Sequence, residues 1–188
     1  MSLRGVLAWL PNIISLARLL AVPVTVELLL VGSFEAAFWL FVAAGVSDAL
    51  DGAIAKHFNA SSQVGAFLDP LADKALLMAI YVTLGYLEHM PVWLVILIVF
   101  RDLLIIGGAI LFHTLTHSLK MEPLLVSKTN TAAQIILAGA VLAELGLDLS
   151  QPGLVHVLIY VVAATTFVSG AAYVIKWGRR AVTMERQP

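Results

Sequence analysis

The chain has 188 residues, 61% of them hydrophobic and 12% charged, with a formal net charge of -1. Soluble domains carry about 25% charged residues, so this composition excludes a water-soluble fold, while the length fits a single membrane domain over residues 1–188. The lack of cysteine excludes disulfides and thiolate zinc sites, and no nucleic-acid partner is expected.

In chain order, the opening MSLRGVLAWL reads as a short interfacial helix anchored by Arg4 and Trp9. Arg18 interrupts the apolar run behind it and no A-x-A site follows, so the stretch is expected to stay in the mature chain rather than serve as a signal peptide. A helix crossing the hydrocarbon core needs about 20 mainly apolar residues. Six segments qualify: Asn12 to Val31, Glu35 to Lys56, Pro70 to Leu87, Pro91 to Phe112, Thr129 to Leu145 and Val155 to Trp177. They lack the alternation of barrel strands. The expectation is therefore an all-α polytopic protein with six transmembrane helices.

Six spans put both termini on one side. Arg4, Lys176, Arg179, Arg180 and Arg186 lie there, and the turns after the second and fourth spans add Lys56, Lys120 and Lys128. The remaining turns carry Glu35, Glu88, Glu144 and Asp148 but no Lys or Arg. By the positive-inside rule the basic side faces the cytoplasm.

The stretch DALDGAIAKHFNASSQVGAFLDPLADK, from Asp48 to Lys74, gathers four aspartates in this apolar background. Asp48 and Asp51 fall in the last turns of the second span, and Asp69 and Asp73 open the third. Spacings of three and four place each pair on one helix face, and the short loop between lets the pairs face each other at the cytoplasmic edge. Clustered carboxylates repel, and charge in a bilayer is costly. Hard divalent cations such as Mg²⁺ or Mn²⁺ offset both. Four carboxylates exceed what one Mg²⁺ takes, which points to two ions about 3.5–4 Å apart, an arrangement suited to phosphoryl or phosphodiester chemistry. The small residues Gly52, Ala55 and Gly65 leave room for a ligand beside the acids. Two other readings stand beside this one. The acids cap helices and pair with Lys56, Lys74 and Arg101, or they line an ion pathway, which would favour acids at the bilayer midplane.

The pattern Asp48-x2-Asp51-Gly52-x2-Ala55-Lys56-x8-Gly65-x3-Asp69-x3-Asp73 resembles the signature D-x2-D-G-x2-A-R-x8-G-x3-D-x3-D of the CDP-alcohol phosphatidyltransferases. It departs only at Lys56, which keeps the charge of the usual Arg but loses its bidentate fork. The resemblance implies transfer of a phosphatidyl group from a CDP-linked donor to an alcohol with release of CMP. It further implies metal ligation by Asp48, Asp51, Asp69 and Asp73, and a CDP pocket at Gly52, Ala55, Lys56 and Gly65. Asp73 is then the general base, and the protein a homodimer. Asn12 to Arg18 (NIISLAR) resembles the opening of two branches of the family, the cardiolipin synthases and the phosphatidylglycerophosphate synthases. Arg101-Asp102 and Ser127-Lys128-Thr129-Asn130-Thr131 look like the eukaryotic-type cardiolipin synthases. The other branch usually has Arg-Glu and G-K-x-K-T there.

This implies CDP-diacylglycerol as donor and phosphatidylglycerol as acceptor, with glycerol 3-phosphate the alternative. Arg101, Lys128 and Asn130 are the expected acceptor-phosphate residues. A phosphomonoester carries about -1.5 to -2 charges, a diester -1, and Asn130 in place of a second Lys suits the diester. The plainer readings are a structural ion pair for Arg101 and a positive-inside anchor for Lys128. A non-catalytic binder of divalent cations or nucleotide lipids, and a cation transporter, are the readings from other classes. His113 and His117 have a metal-compatible spacing but no third ligand, Trp39 and Trp93 read as belt residues, and Gly107-Gly108 as a packing site. The short chain without an evident transit peptide suggests a bacterial inner membrane.

Overall fold

The computed structural model describes residues 3–58, 63–116, 125–149 and 153–184. Among these residues there is no strand. The helices are α1 (Leu3–Leu30), α2 (Phe34–Phe58), α3 (Gln63–Tyr86), α4 (Val92–Thr116), α5 (Leu125–Leu147) and α6 (Leu154–Met184). Each expected span falls on one helix, so the apolar runs located the elements correctly.

Two of the boundaries that differ from expectation fall at prolines, and α4, α5 and α6 also extend four to seven residues beyond an expected end. The N-terminal stretch is no separate interfacial helix; it is the first part of α1, which runs through Pro11 and Pro23. A proline inside a helix removes one backbone hydrogen bond and bends it, and apolar helices in lipid tolerate this. Likewise α3 begins at Gln63 rather than at Pro70, so Gly65 and Asp69 lie inside the helix.

The expectation of six spans is met in part. Among the described residues, three stretches are long and apolar enough to cross a membrane: Ile13–Leu30, Leu125–Leu147 and Leu154–Lys176. The other helices also carry charged residues. Asp48, Asp51 and Lys56 occupy the end of α2, Asp69, Asp73 and Lys74 the first half of α3, and Arg101 and Asp102 the middle of α4. Lys74–Tyr86 of α3 is a shorter apolar stretch.

The chain divides into two compact units, and the division passes through α5. The first comprises residues 1–90 and 138–151. In it α1 packs against α3 and α2. Leu76, Leu77, Ile80, Tyr81 and Leu84 recur at helical spacing along α3 and are buried, with Leu29, Ala37, Val141 and Leu142 from the other helices. The end of α5 lies on the start of α2 at backbone range. A Cβ on Gly146 would stand 2.7 Å from the backbone of Phe34 and Glu35, so only glycine fits there.

Two turns of this unit close by the same device. After α1, Gly32 N–H donates to Leu29 O (3.1 Å) and Ser33 N–H to Leu28 O (2.8 Å), with Gly32 at φ 76°. After α3, Glu88 N–H donates to Gly85 O (3.2 Å) and His89 N–H to Leu84 O (2.9 Å), with Glu88 at φ 62°. Both are Schellman motifs, but the second places a side-chain-bearing residue in the left-handed region.

The second unit comprises residues 91–137 and 152–188. Here α4 packs against α6, burying Leu94, Val95, Ile98, Ile159, Val162 and Tyr173. Its section through the middle is inverted relative to a soluble fold. Arg101, Asp102, Asn130, Gln134, Thr166 and Ser169 are buried, while Phe100, Leu103, Ile106, Ile136, Phe167 and Ile175 are exposed. Apolar outside and polar inside is the profile of helices solvated by lipid. Gly107 serves no packing contact, since nothing lies within 4 Å of a Cβ built on it; it faces outward in this belt.

Candidate functional site

The aspartates lie on two successive helices. Asp48 and Asp51 are three apart on α2, with Gly52, Ala55 and Lys56 following. Gly65, Asp69 and Asp73 follow one another on α3. The side chains of Asp51, Gly52, Ala55, Lys56, Gly65, Asp69 and Asp73 lie outside the described residues, as do those of Arg4, Trp9, His113 and His117. Among the described residues no three His, Asp or Glu gather into a group that could hold a metal.

Asp48 is the member of the set whose carboxylate is described. Its Oδ1 accepts from Arg18 Nη1 at 2.9 Å, and the two partners are unequally placed, with Arg18 3% and Asp48 45% exposed. The guanidinium is thus buried, while the carboxylate stays open to ligands. The acid therefore pairs with Arg18, a partner that the sequence reading did not assign. A signal for it existed: a lone Arg in a long apolar run needs an acid within reach.

The donor chemistry fits a hard divalent cation. A carboxylate held on one oxygen and half exposed, in a set of four acids on successive helices, is the kind of oxygen ligand that Mg²⁺ and Mn²⁺ take. Arg18 adds one positive charge beside Asp48.

In the second unit a polar cluster ties α4, α5 and α6 together. Arg101 Nη1 donates to Asp102 Oδ1 at 2.6 Å, Nη2 to Ser127 Oγ at 2.6 Å, and Nε to Ser169 Oγ at 3.2 Å. The ion pair is closed on both sides, at 3% and 9% exposure. Its charges cancel, and the serines take guanidinium N–H groups that the acid does not, which is what a buried pair requires. A Cβ at Gly170 would make an ordinary contact with the Arg101 stem, 3.6 Å from Cγ.

Asn130, one helical turn from Ser127 on α5, is fully buried. Its Oδ1 accepts from Thr165 Oγ1 and Thr166 Oγ1 of α6, both at 2.9 Å. Lys128 is exposed on the same helix. Of the three residues expected to meet the acceptor phosphate, two are thus buried in this cluster and one is at the surface. Ser127, Ser169, Thr165 and Thr166 were not anticipated as their partners.

The apolar belt and the polar interior define an integral membrane protein of all-helical build. The family follows from a model of the CDP-alcohol phosphatidyltransferases, which matches residues 8–172. The chain belongs to that family, whose members use divalent metal ions. It is 33% identical over 189 residues to the rat cardiolipin synthase (CMP-forming), with 92% of this chain and 62% of that protein covered. It is 33% identical over 187 residues to a rice chloroplastic CDP-diacylglycerol–glycerol-3-phosphate 3-phosphatidyltransferase, covering 89% of this chain and 56% of that one. A probable phosphatidylglycerophosphate synthase of Mycobacterium tuberculosis is 31% identical over 183 residues, covering 92% of this chain and 83% of that protein. The chain thus spans less than two thirds of the length of the rat and rice proteins.

Proposed function

We propose that this protein transfers the phosphatidyl group of CDP-diacylglycerol to phosphatidylglycerol, giving cardiolipin and CMP. The observation that carries the reading is the aspartate signature borne on two successive helices, α2 and α3, in a chain of this family. The likeness to cardiolipin synthases along most of the chain supports the acceptor. So does Asn130, a neutral amide where the other branch usually has a lysine.

In this reading the primary hydroxyl of the acceptor attacks the lipid-side phosphorus of the donor. A new P–O bond forms, the bond from that phosphorus to the CMP oxygen breaks, and CMP leaves with the electron pair. Asp73 takes the hydroxyl proton as the attacking oxygen bonds to phosphorus. Asp48, Asp51 and Asp69, with Asp73, hold two Mg²⁺ or Mn²⁺ ions. When bound, these ions screen the pyrophosphate and stabilise the departing CMP. Arg18 keeps the Asp48 carboxylate in place from beneath. Gly52, Ala55 and Gly65 leave room for the cytidine diphosphate, and Lys56 meets its phosphates. Lys128 and Asn130 serve the acceptor phosphate, while Arg101, closed by Asp102, Ser127 and Ser169, fixes the helices that carry them. All six helices cross a bacterial inner membrane, with the acid end of α2 at the cytoplasmic side, and two copies form a homodimer.

Glycerol 3-phosphate is the second acceptor to be weighed, because the rice and mycobacterial relatives match the chain about as well as the rat protein does. One experiment separates the readings. Purified protein with Mg²⁺ or Mn²⁺ and CDP-diacylglycerol is offered phosphatidylglycerol or glycerol 3-phosphate separately, CMP release is followed, and the lipid product is weighed by mass spectrometry. Cardiolipin from phosphatidylglycerol is the expected outcome. Product from glycerol 3-phosphate alone would keep the chemistry and replace the acceptor. No CMP with either would return weight to a non-catalytic binder.

A further inference from the structure

The contact of Asn130 with α6 is asymmetric. Its Oδ1 takes two hydroxyl protons, from Thr165 and Thr166, while its buried Nδ2 has no hydrogen-bond partner. A buried amide donor left unpaired costs about 1–3 kcal/mol, and such exceptions in native interiors are few. Cohesion between α5 and α6 does not explain it. A serine or threonine at position 130 would join the helices without stranding a donor.

The two threonines differ in their freedom. Thr165 Oγ1 also lies within reach of the carbonyls of Val161 (2.9 Å) and Val162 (3.1 Å), so its single proton has three candidate acceptors. Thr166 is fully buried, and its hydroxyl has Asn130 Oδ1 as its acceptor. Turning the amide over would face two N–H groups toward the threonines and leave the Thr166 proton without an acceptor. Thr166 therefore fixes which end of the amide is which.

We infer that Thr166, assisted by Thr165, is a positioning residue that holds Asn130 with Nδ2 as a donor for the acceptor substrate. This rests on the acceptor reading given above. The group recognised is a neutral or singly charged oxygen, a glycerol hydroxyl or a phosphodiester oxygen. The other buried donor of the expected acceptor trio, Arg101, already spends Nε, Nη1 and Nη2 on Ser169, Asp102 and Ser127. A neutral, oriented amide discriminates by hydrogen bonding, and sites of that kind reject analogues that leave the buried donor unpaired.

The test is a cycle of Thr166→Val, Thr166→Ser and Asn130→Leu in the full chain. The readouts are acceptor KM, kcat, donor KM and Tm, on whichever acceptor the wild type uses. Thr166→Val is expected to raise the acceptor KM about tenfold, equivalent to about 1.4 kcal/mol, with the donor KM unchanged. Thr166→Ser, which keeps the hydroxyl, is expected to restore it. In the Asn130→Leu background Thr166→Val is expected to change the acceptor KM no further, since Thr166 acts only through the amide. A Thr166→Val protein with lowered Tm and unaltered KM would show helix cohesion alone and overturn the inference. So would equal KM values for the Val and Ser variants, a pair that decides the matter even where Asn130→Leu does not fold. Wild-type turnover of glycerol 3-phosphate but not phosphatidylglycerol would end the cardiolipin reading alone. Absence of acceptor-dependent CMP release from the wild type would end both.

Discussion

Each unit of the molecule contains an arginine paired with an aspartate, and the two pairs are built differently. Arg18 and Asp48 come from different helices, and the acid is far more exposed than the base. Arg101 and Asp102 are sequence neighbours, both deeply buried, and two serines take further N–H groups of the guanidinium. A pair closed on all sides has spent its charges on each other. A pair with an open carboxylate still has chemistry to offer. On the function proposed above, the open pair belongs to the site for ions and nucleotide and the closed pair is a joint that holds helices in register, within one chemical type of contact.

The sharpest way to break this contrast is at the acid assigned as base. Asp73→Asn should reduce CMP release by about two to four orders of magnitude while Tm without metal stays near the wild-type value. Retained turnover would remove Asp73 from the mechanism. Next in size is Asp102→Asn, which leaves Arg101 charged, buried and short of its partner. Breaking such a pair costs about 3–5 kcal/mol, so a large drop in Tm in detergent is expected. Replacing both partners, as Arg101→Met with Asp102→Leu, should recover much of that stability. If it does not, the pair is more than a joint.

A smaller asymmetry is expected at the other pair. Asp48→Asn takes an ion-pair partner from a buried guanidinium, whereas Arg18→Met takes one from a half-exposed carboxylate, so the first should lower Tm more than the second. The second should instead weaken binding of Mn²⁺, followed by calorimetry on the metal-free protein, because Asp48 loses its anchor. Equal Tm losses would mean that exposure does not govern the pair. The mildest change concerns the turn after α3. Glu88→Gly relieves a left-handed residue that carries a side chain and should raise stability by about 0.5–1 kcal/mol, read as a small upward shift in Tm.

How much of this was legible beforehand depends on the kind of residue. Long apolar runs announced the helices because lipid demands them. Pro11 and Pro70 misplaced two boundaries, since proline punctuates soluble helices more firmly than apolar ones. The aspartates drew a metal-site reading because four acids at helical spacing have few structural excuses. Asn130 was legible as a departure within a motif, but its partners were not. Hydroxyls in apolar helices usually bond back to their own turn, as Thr25 does to Ala21 and Thr131 to Ser127. Nothing in the spacing of Thr166 or Ser169 says that they reach across to Asn130 and Arg101 instead.

The inverted section of the second unit has a thermal consequence. Lipid tails are as apolar as the side chains they touch, so separating these helices within a bilayer transfers little greasy surface to water. Heat-capacity changes on unfolding arise mainly from that transfer. Calorimetry in lipid should accordingly find a nearly straight line of free energy against temperature for this unit, without the domed curve and the loss of stability on cooling that mark water-soluble domains.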